Sequence, residues 1–215
     1  MVLSLIPVLT HARPLALAVV LVLYGCALNK AEPVAVFDLG LPQALATSST
    51  AATPPSLALP ALQVVDIAAP TWLATTGIAY RLAYADPLRR EVYRDSRWTA
   101  PPAALLTERL RQRLAIESQQ QGQAGAGQSI PLRLALEEFG QSFAGPSQSQ
   151  VRLRVRARLG DAANAPQRVF EVQRPAASAD AQGAVQGLSQ ASEQFLEELL
   201  EWLRQQPRPS GESRP

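Results

Sequence analysis

Between Val151 and Leu159 the chain alternates without a break, Val151, Leu153, Val155, Ala157 and Leu159 against Arg152, Arg154, Arg156 and Arg158. Successive side chains of a strand point to opposite faces, so this segment fits only a strand with one face in a core and the other bearing arginines. The same period runs through Leu132, Leu134 and Leu136 against Arg133, Ala135 and Glu137, and Gly145 with Pro146 supplies a turn between the two runs. Two half-buried runs joined in this way predict an antiparallel hairpin. A third strand is expected over Arg168 to Gln173, with Phe170 and Val172 turned inward.

A sheet with one apolar face needs a cover, and two segments have the helical period to provide it. In the first, Thr99 reads as the N-cap with Pro101 and Pro102 in the first turn. Leu106, Leu110 and Leu114 then recur at spacing four, to an end near Glu117. In the second, Ser178 or Asp180 caps a helix reaching about Gln205, whose stripe is Val185, Leu188, Phe195, Leu196, Leu199, Trp202 and Leu203. Upstream, Val34 to Leu39, Leu62 to Ile67 and Ile78 to Leu82 read as short strands. Pro70 to Leu73 is a turn or one helical turn, and Arg89 to Arg94 alternates weakly. The expected fold is α+β, a mostly antiparallel sheet packed against two helices over residues 34–205. Gln43 to Ser56, rich in Ala, Ser, Thr and Pro, is a flexible loop or a linker; as a linker it moves the domain start to near Leu57. Ser118 to Gln128 is a low-complexity loop, and residues 206–215 are expected to be a disordered tail.

The amino terminus carries a different signal. Arg13 precedes an apolar run from Leu15 to Leu23, and the small residue Gly25 stands directly before Cys26. This is the order of a secretory leader, and Leu23, Tyr24, Gly25 and Cys26 resemble the bacterial lipobox. Residues 1–25 are therefore expected to be a signal peptide cleaved between Gly25 and Cys26. Cys26 is the expected lipidation site, and residues 26–33 a lipidated spacer. The competing transmembrane reading needs about 20 apolar residues, more than this run offers, and Arg13 with Pro14 blocks its extension. Since each buried methylene contributes about 0.8 kcal/mol, two or more acyl chains make a stable anchor. Ala27, standing where Asp signals inner-membrane retention, favours the periplasmic face of the outer membrane by resemblance to the sorting rule.

Composition narrows the chemistry. The only histidine, His11, lies within the leader, the only cysteine is Cys26, and beyond the leader the only lysine is Lys30. That removes the usual nucleophile and base pairs, most nitrogen or sulfur metal ligation, and Ser-Lys catalysis. Adjacent Glu137 and Glu138 are expected to point to opposite faces of their strand, which rules out a paired acid and base. Gly122, Gly125 and Gly127 lack the following helix that a phosphate loop needs. With 20 Lys and Arg against 18 Asp and Glu, nothing predicts a nucleic-acid footprint. The chain is expected to be no enzyme, to use no metal and to carry no cofactor beyond acyl chains on Cys26.

The order of segments resembles the ABC-type transport auxiliary lipoprotein family, the PqiC-like proteins. The likeness rests on the lipidated Cys26 and the short strand Phe37, Asp38, Leu39. It continues through Tyr80 and Arg81, the run Arg97, Trp98, Thr99, Ala100, Pro101, Pro102, a hairpin and a terminal helix. It covers roughly Leu62 to Leu203. The resemblance implies an accessory role in moving lipids or other hydrophobic molecules between inner and outer membranes. It implies as partner an MCE-domain periplasmic protein with its permease and ATPase; a homo-oligomer is a further open expectation. An assembly or pilot lipoprotein for polymer export or a secretion channel is the alternative.

Two surface features invite a functional reading. Arg152, Arg154, Arg156 and Arg158 suit lipid phosphate or an acidic partner surface, or they form a solvated strand face with Glu137 opposite. Tyr80 and Trp98 line a hydrophobic groove, or they seal helix against sheet.

Overall fold

The computed structural model describes residues 33–41, 59–120 and 129–206. Within them seven strands form one mixed sheet: β1 (Ala35–Phe37), β2 (Leu62–Val64), β3 (Gly77–Leu82), β4 (Glu91–Trp98), β5 (Ile130–Gly145), β6 (Gln148–Leu159) and β7 (Gln167–Pro175). A 3-10 turn spans Thr71–Leu73, and the helices are α1 (Pro102–Gln120) and α2 (Ala181–Arg204). The sheet runs β1-β4-β3-β5-β6-β7, with β2 pairing β5 beside that path. Its long ladders, β5 with β6 and β6 with β7, are antiparallel. The short ladders of β1 with β4, β2 with β5 and β3 with β5 are parallel. The result is the expected α+β architecture with a mixed sheet.

Alternation decides which side of the sheet is covered. Val151, Leu153, Val155, Ala157 and Leu159 are buried, as are Phe170 and Val172 on β7. Helix α2 lies over them with Leu188, Phe195, Leu196, Leu199 and Leu203 inward, and Phe170 meets Phe195 edge-on at 5.5 Å. Each such side chain contributes about 1.5–3 kcal/mol through removal from water. Close approach is set by Gly187, where a Cβ would stand 2.9 Å from the Val151 methyls. Asp180 caps α2, its side chain accepting from the Gly183 N–H at 2.8 Å. Glu117 of α1 accepts from Arg204 of α2 at 2.9 Å, tying the helices together.

Three local expectations need correction. Helix α1 opens at Pro102, and the Pro101 carbonyl accepts from Ala104 and Leu105; Thr99 lies short of the cap and gives its N–H to the Phe37 carbonyl. The helix also runs past Glu117 to Gln120, three residues into the segment expected to be a loop. The third correction concerns Glu137 and Glu138. The β5–β6 register shifts between Leu136 and Glu138, and burial moves from Leu132, Leu134 and Leu136 to Phe139 and Phe143. Glu137 is the extra residue of a β-bulge, so both carboxylates lie on the outward face. The expected leader and the spacer through residue 32, the loop or linker from Gln43 to Ser56, the remainder of the Gln-rich loop (121–128) and the tail from 207 onward lie outside the described residues.

Candidate functional site

Neither helix covers the second face of the sheet. On it the four arginines of β6 stand in a row between the carboxylates of the flanking strands. Glu137 on β5 accepts from Arg154 Nε at 2.8 Å and from Arg156 Nε and Nη2 at 2.8 and 2.6 Å. Glu171 on β7 accepts from Arg154 Nη1 at 3.3 Å and lies 3.8 Å from Arg152. Arg158 turns to the carbonyls of Asp161 and Ala162, and Arg133 donates to Asp161 at 2.7 Å. The Arg156 hydrogen bond, with Arg154 behind it and burial opposing both, holds the Glu137 carboxyl below the usual range. Asp161 is lowered chiefly by its bond from Arg133. The bulge thus gives one carboxylate to two guanidinium groups, leaving a cationic lattice suited to an acidic surface.

At the Arg152 end lies a depression of about 300 Å³, walled by Arg81, Arg90, Arg152, Glu138 and Ser142. Arg90 stacks on the Trp72 ring, 3.2 Å from its centroid, and donates to Glu138 at 3.2 Å. Arg81 donates to the Pro87 carbonyl. Three guanidinium groups therefore share the depression with one carboxylate.

The two aromatics singled out from sequence lie apart. Trp98 is 1% exposed and packs against Phe139 at 5.6 Å, in the core at the end of β4. Tyr80 is half-buried toward the other end of the sheet, its ring 4.6 Å from Tyr93 and 6.0 Å from Phe143. There the Tyr93 hydroxyl donates to Gln141 at 2.6 Å, and Gln141 donates onward to Ser149 at 2.8 Å. Burial first, then the charge of Asp180, pushes the Tyr93 hydroxyl well above its ordinary pKa.

A buried charge pair joins the helices and was missed by sequence reasoning. Arg109 of α1, 4% exposed, lies 2.9 Å from Glu193 of α2, at ion-pair distance but out of hydrogen-bond alignment. Its other amino group donates to the carbonyls of Leu39, at 2.7 Å, and Gly40. Ser189 donates to the same Leu39 carbonyl at 2.6 Å. Gly40 has φ +72°, a conformation glycine adopts readily, and this turns its carbonyl to the guanidinium. The arrangement clamps the segment after β1 to both helices. Beside it a cleft of about 430 Å³ runs between β1 and α2, lined by Val36, Phe37, Val185 and Ser189. The available signal was a charged residue inside each apolar stripe: Arg109 between Leu106 and Leu110, and Glu193 beside Phe195.

Among the described residues there is no group of three or more His, Cys, Asp or Glu able to hold a metal ion. No described helix is long and apolar enough to cross a membrane. Gly25 and Cys26 lie outside the described residues.

Comparison with curated proteins gives no match. Two solved structures are similar. The crystal structure of a Xanthomonas campestris protein assigned to the DUF330 family has a TM-score of 0.60 at 22% identity, over 70% of this chain and 88% of its own. That of an uncharacterized protein has a TM-score of 0.60 at 17% identity, over 80% of this chain and 99% of its own. Both likenesses are of fold. The family model described as ABC-type transport auxiliary lipoprotein component matches residues 40–199, spanning strands β2 to β7, α1 and most of α2. That family is a class of transport components rather than of enzymes, and this chain belongs to it: an ABC-type transport auxiliary lipoprotein component.

Proposed function

We propose that this chain is anchored at the periplasmic face of the outer membrane by acyl chains on Cys26. Its bare arginine face docks the MCE-domain protein of an ABC transport system that moves lipids or other hydrophobic molecules between the two membranes. In this reading residues 1–25 are the leader, 26–33 the lipidated spacer, 34–205 the working domain and 206–215 a tail. The observation that carries the docking surface is the second face of the sheet, which no described helix covers and which presents four arginines in register. An acidic partner surface fits that lattice by charge and by the planar geometry of guanidinium groups.

The role is scaffolding. The anchor confines the domain to a membrane surface, and the fixed face holds the periplasmic component beneath it, so the domain needs no reactive group. The test is affinity capture of the full lipoprotein from detergent-solubilised membranes. Recovery of an MCE-domain protein with its permease and ATPase supports the proposal; recovery of a secretion or polymer-export channel in their place would overturn it.

A further inference from the structure

The end of the sheet that carries the cationic depression also carries the most exposed large apolar side chain of the described residues. The turn from β3 to β4 presents Leu88, 90% exposed, and Tyr84, 49% exposed. This turn is held in shape: the Pro87 carbonyl accepts from Arg81, Leu88 N–H donates to Asp86 at 3.0 Å, and Tyr84 N–H donates to the Phe143 carbonyl at 3.3 Å. An ordered turn spending its tip on a leucine, with Arg81, Arg89 and Arg90 around its base, has the composition of a membrane-interface element.

Topology supplies an independent observation. Strand β1 is parallel to β4, with Ala35 opposite Ser96 and Phe37 opposite Trp98. Because β4 begins at Glu91 beside this turn, β1 runs away from the turn alongside the last three residues of β4, with its amino end pointing toward the turn. Any anchor upstream of Val34 is therefore joined to the domain through a strand whose amino end points toward the turn.

We propose that the β3–β4 turn and the Arg81, Arg90, Arg152 depression form a phospholipid-facing surface. The depression takes a lipid phosphate, and Leu88 with Tyr84 enters the boundary between headgroups and acyl chains. The inference rests on the proposed acylation of Cys26. It also orients the arginine row, with Arg152 toward the membrane and Arg158 away from it.

The test uses the full acylated protein in vesicles of phosphatidylethanolamine and phosphatidylglycerol. With Cys26 blocked by acylation, Leu88→Cys introduces the only free thiol, and Ala163→Cys does the same in the β6–β7 turn at the opposite end. Each is labelled with an environment-sensitive fluorophore, and quenching by headgroup-proximal spin-labelled lipid is measured. The expected result is quenching at position 88 at least about threefold stronger than at 163. Adding Arg81→Gln and Arg152→Gln to the Leu88→Cys protein is expected to reduce that difference. Mass measurement of the same sample separates the two ways to fail. Equal or reversed quenching in protein bearing acyl chains overturns the membrane-facing surface and returns the turn to a protein partner, with the lipoprotein reading intact. A bare Cys26 thiol overturns both.

Discussion

The two faces of one sheet are made from the same strands at alternate positions, yet they do different work. On the covered face, Leu153 and Val155 are fully buried beneath α2. On the bare face, one residue away along the same strand, Arg154 and Arg156 share Glu137 and meet water. Stability therefore belongs to one set of positions, and the other set is free to carry recognition. The Arg109–Glu193 pair is an exception on the covered side, and it fastens the segment leading on from β1.

The largest effect is expected at that exception. Arg109→Met leaves Glu193 buried without its partner and should cost about 3–5 kcal/mol, read by urea unfolding; adding Glu193→Leu should recover much of the loss. Leu153→Ala on the covered face should cost about 2–5 kcal/mol. Against it, Arg156→Gln on the bare face should change stability by less than about 1 kcal/mol while weakening partner capture. Comparable losses from the last two variants would break the contrast between faces.

That contrast was legible because period two is a local property of sequence, visible in Leu132 to Leu136 and Val151 to Leu159. The α2 stripe and the two helices over the sheet followed in the same way. The bulge at Glu137 was not legible: two adjacent glutamates read as opposite faces unless the register shift is known, and that shift depends on how β6 pairs. Parallel pairing of β1 with β4 and of β3 with β5 is likewise a long-range choice that no local pattern encodes. Thr99 lost the cap position to Pro101 because β4 continues to Trp98, leaving Thr99 bonded to β1. At the candidate site, the arginine row was readable residue by residue, whereas the depression needed Arg81, Arg90 and Arg152 to be assembled from three separate stretches of chain.

Smaller effects sharpen the comparison. Asp180→Ala should remove about 1 kcal/mol by uncapping α2. The Asp180 carboxyl is lowered first by its bond from Gly183, so its contribution is present above the ordinary carboxylate range and is lost as pH falls through the depressed value. Glu137 has the same sign, and Glu137→Gln should flatten the acid side of the stability profile, read by thermal unfolding between about pH 2 and 5. Tyr93 has the opposite sign. Its folded pKa is raised, so its contribution is complete below about pH 10 and is lost as pH rises above the ordinary tyrosine value. Tyr93→Phe should therefore flatten the alkaline side of the same thermal-unfolding profile.

The most direct measurement is site-specific photocrosslinking in cells, with the probe at Arg156 on the bare face and at Glu197 on the exposed side of α2. The expected result is an adduct with an MCE-domain protein from position 156 and none from 197. Adducts from 197 alone would place the partner on the helical side and contradict the assignment of the arginine face.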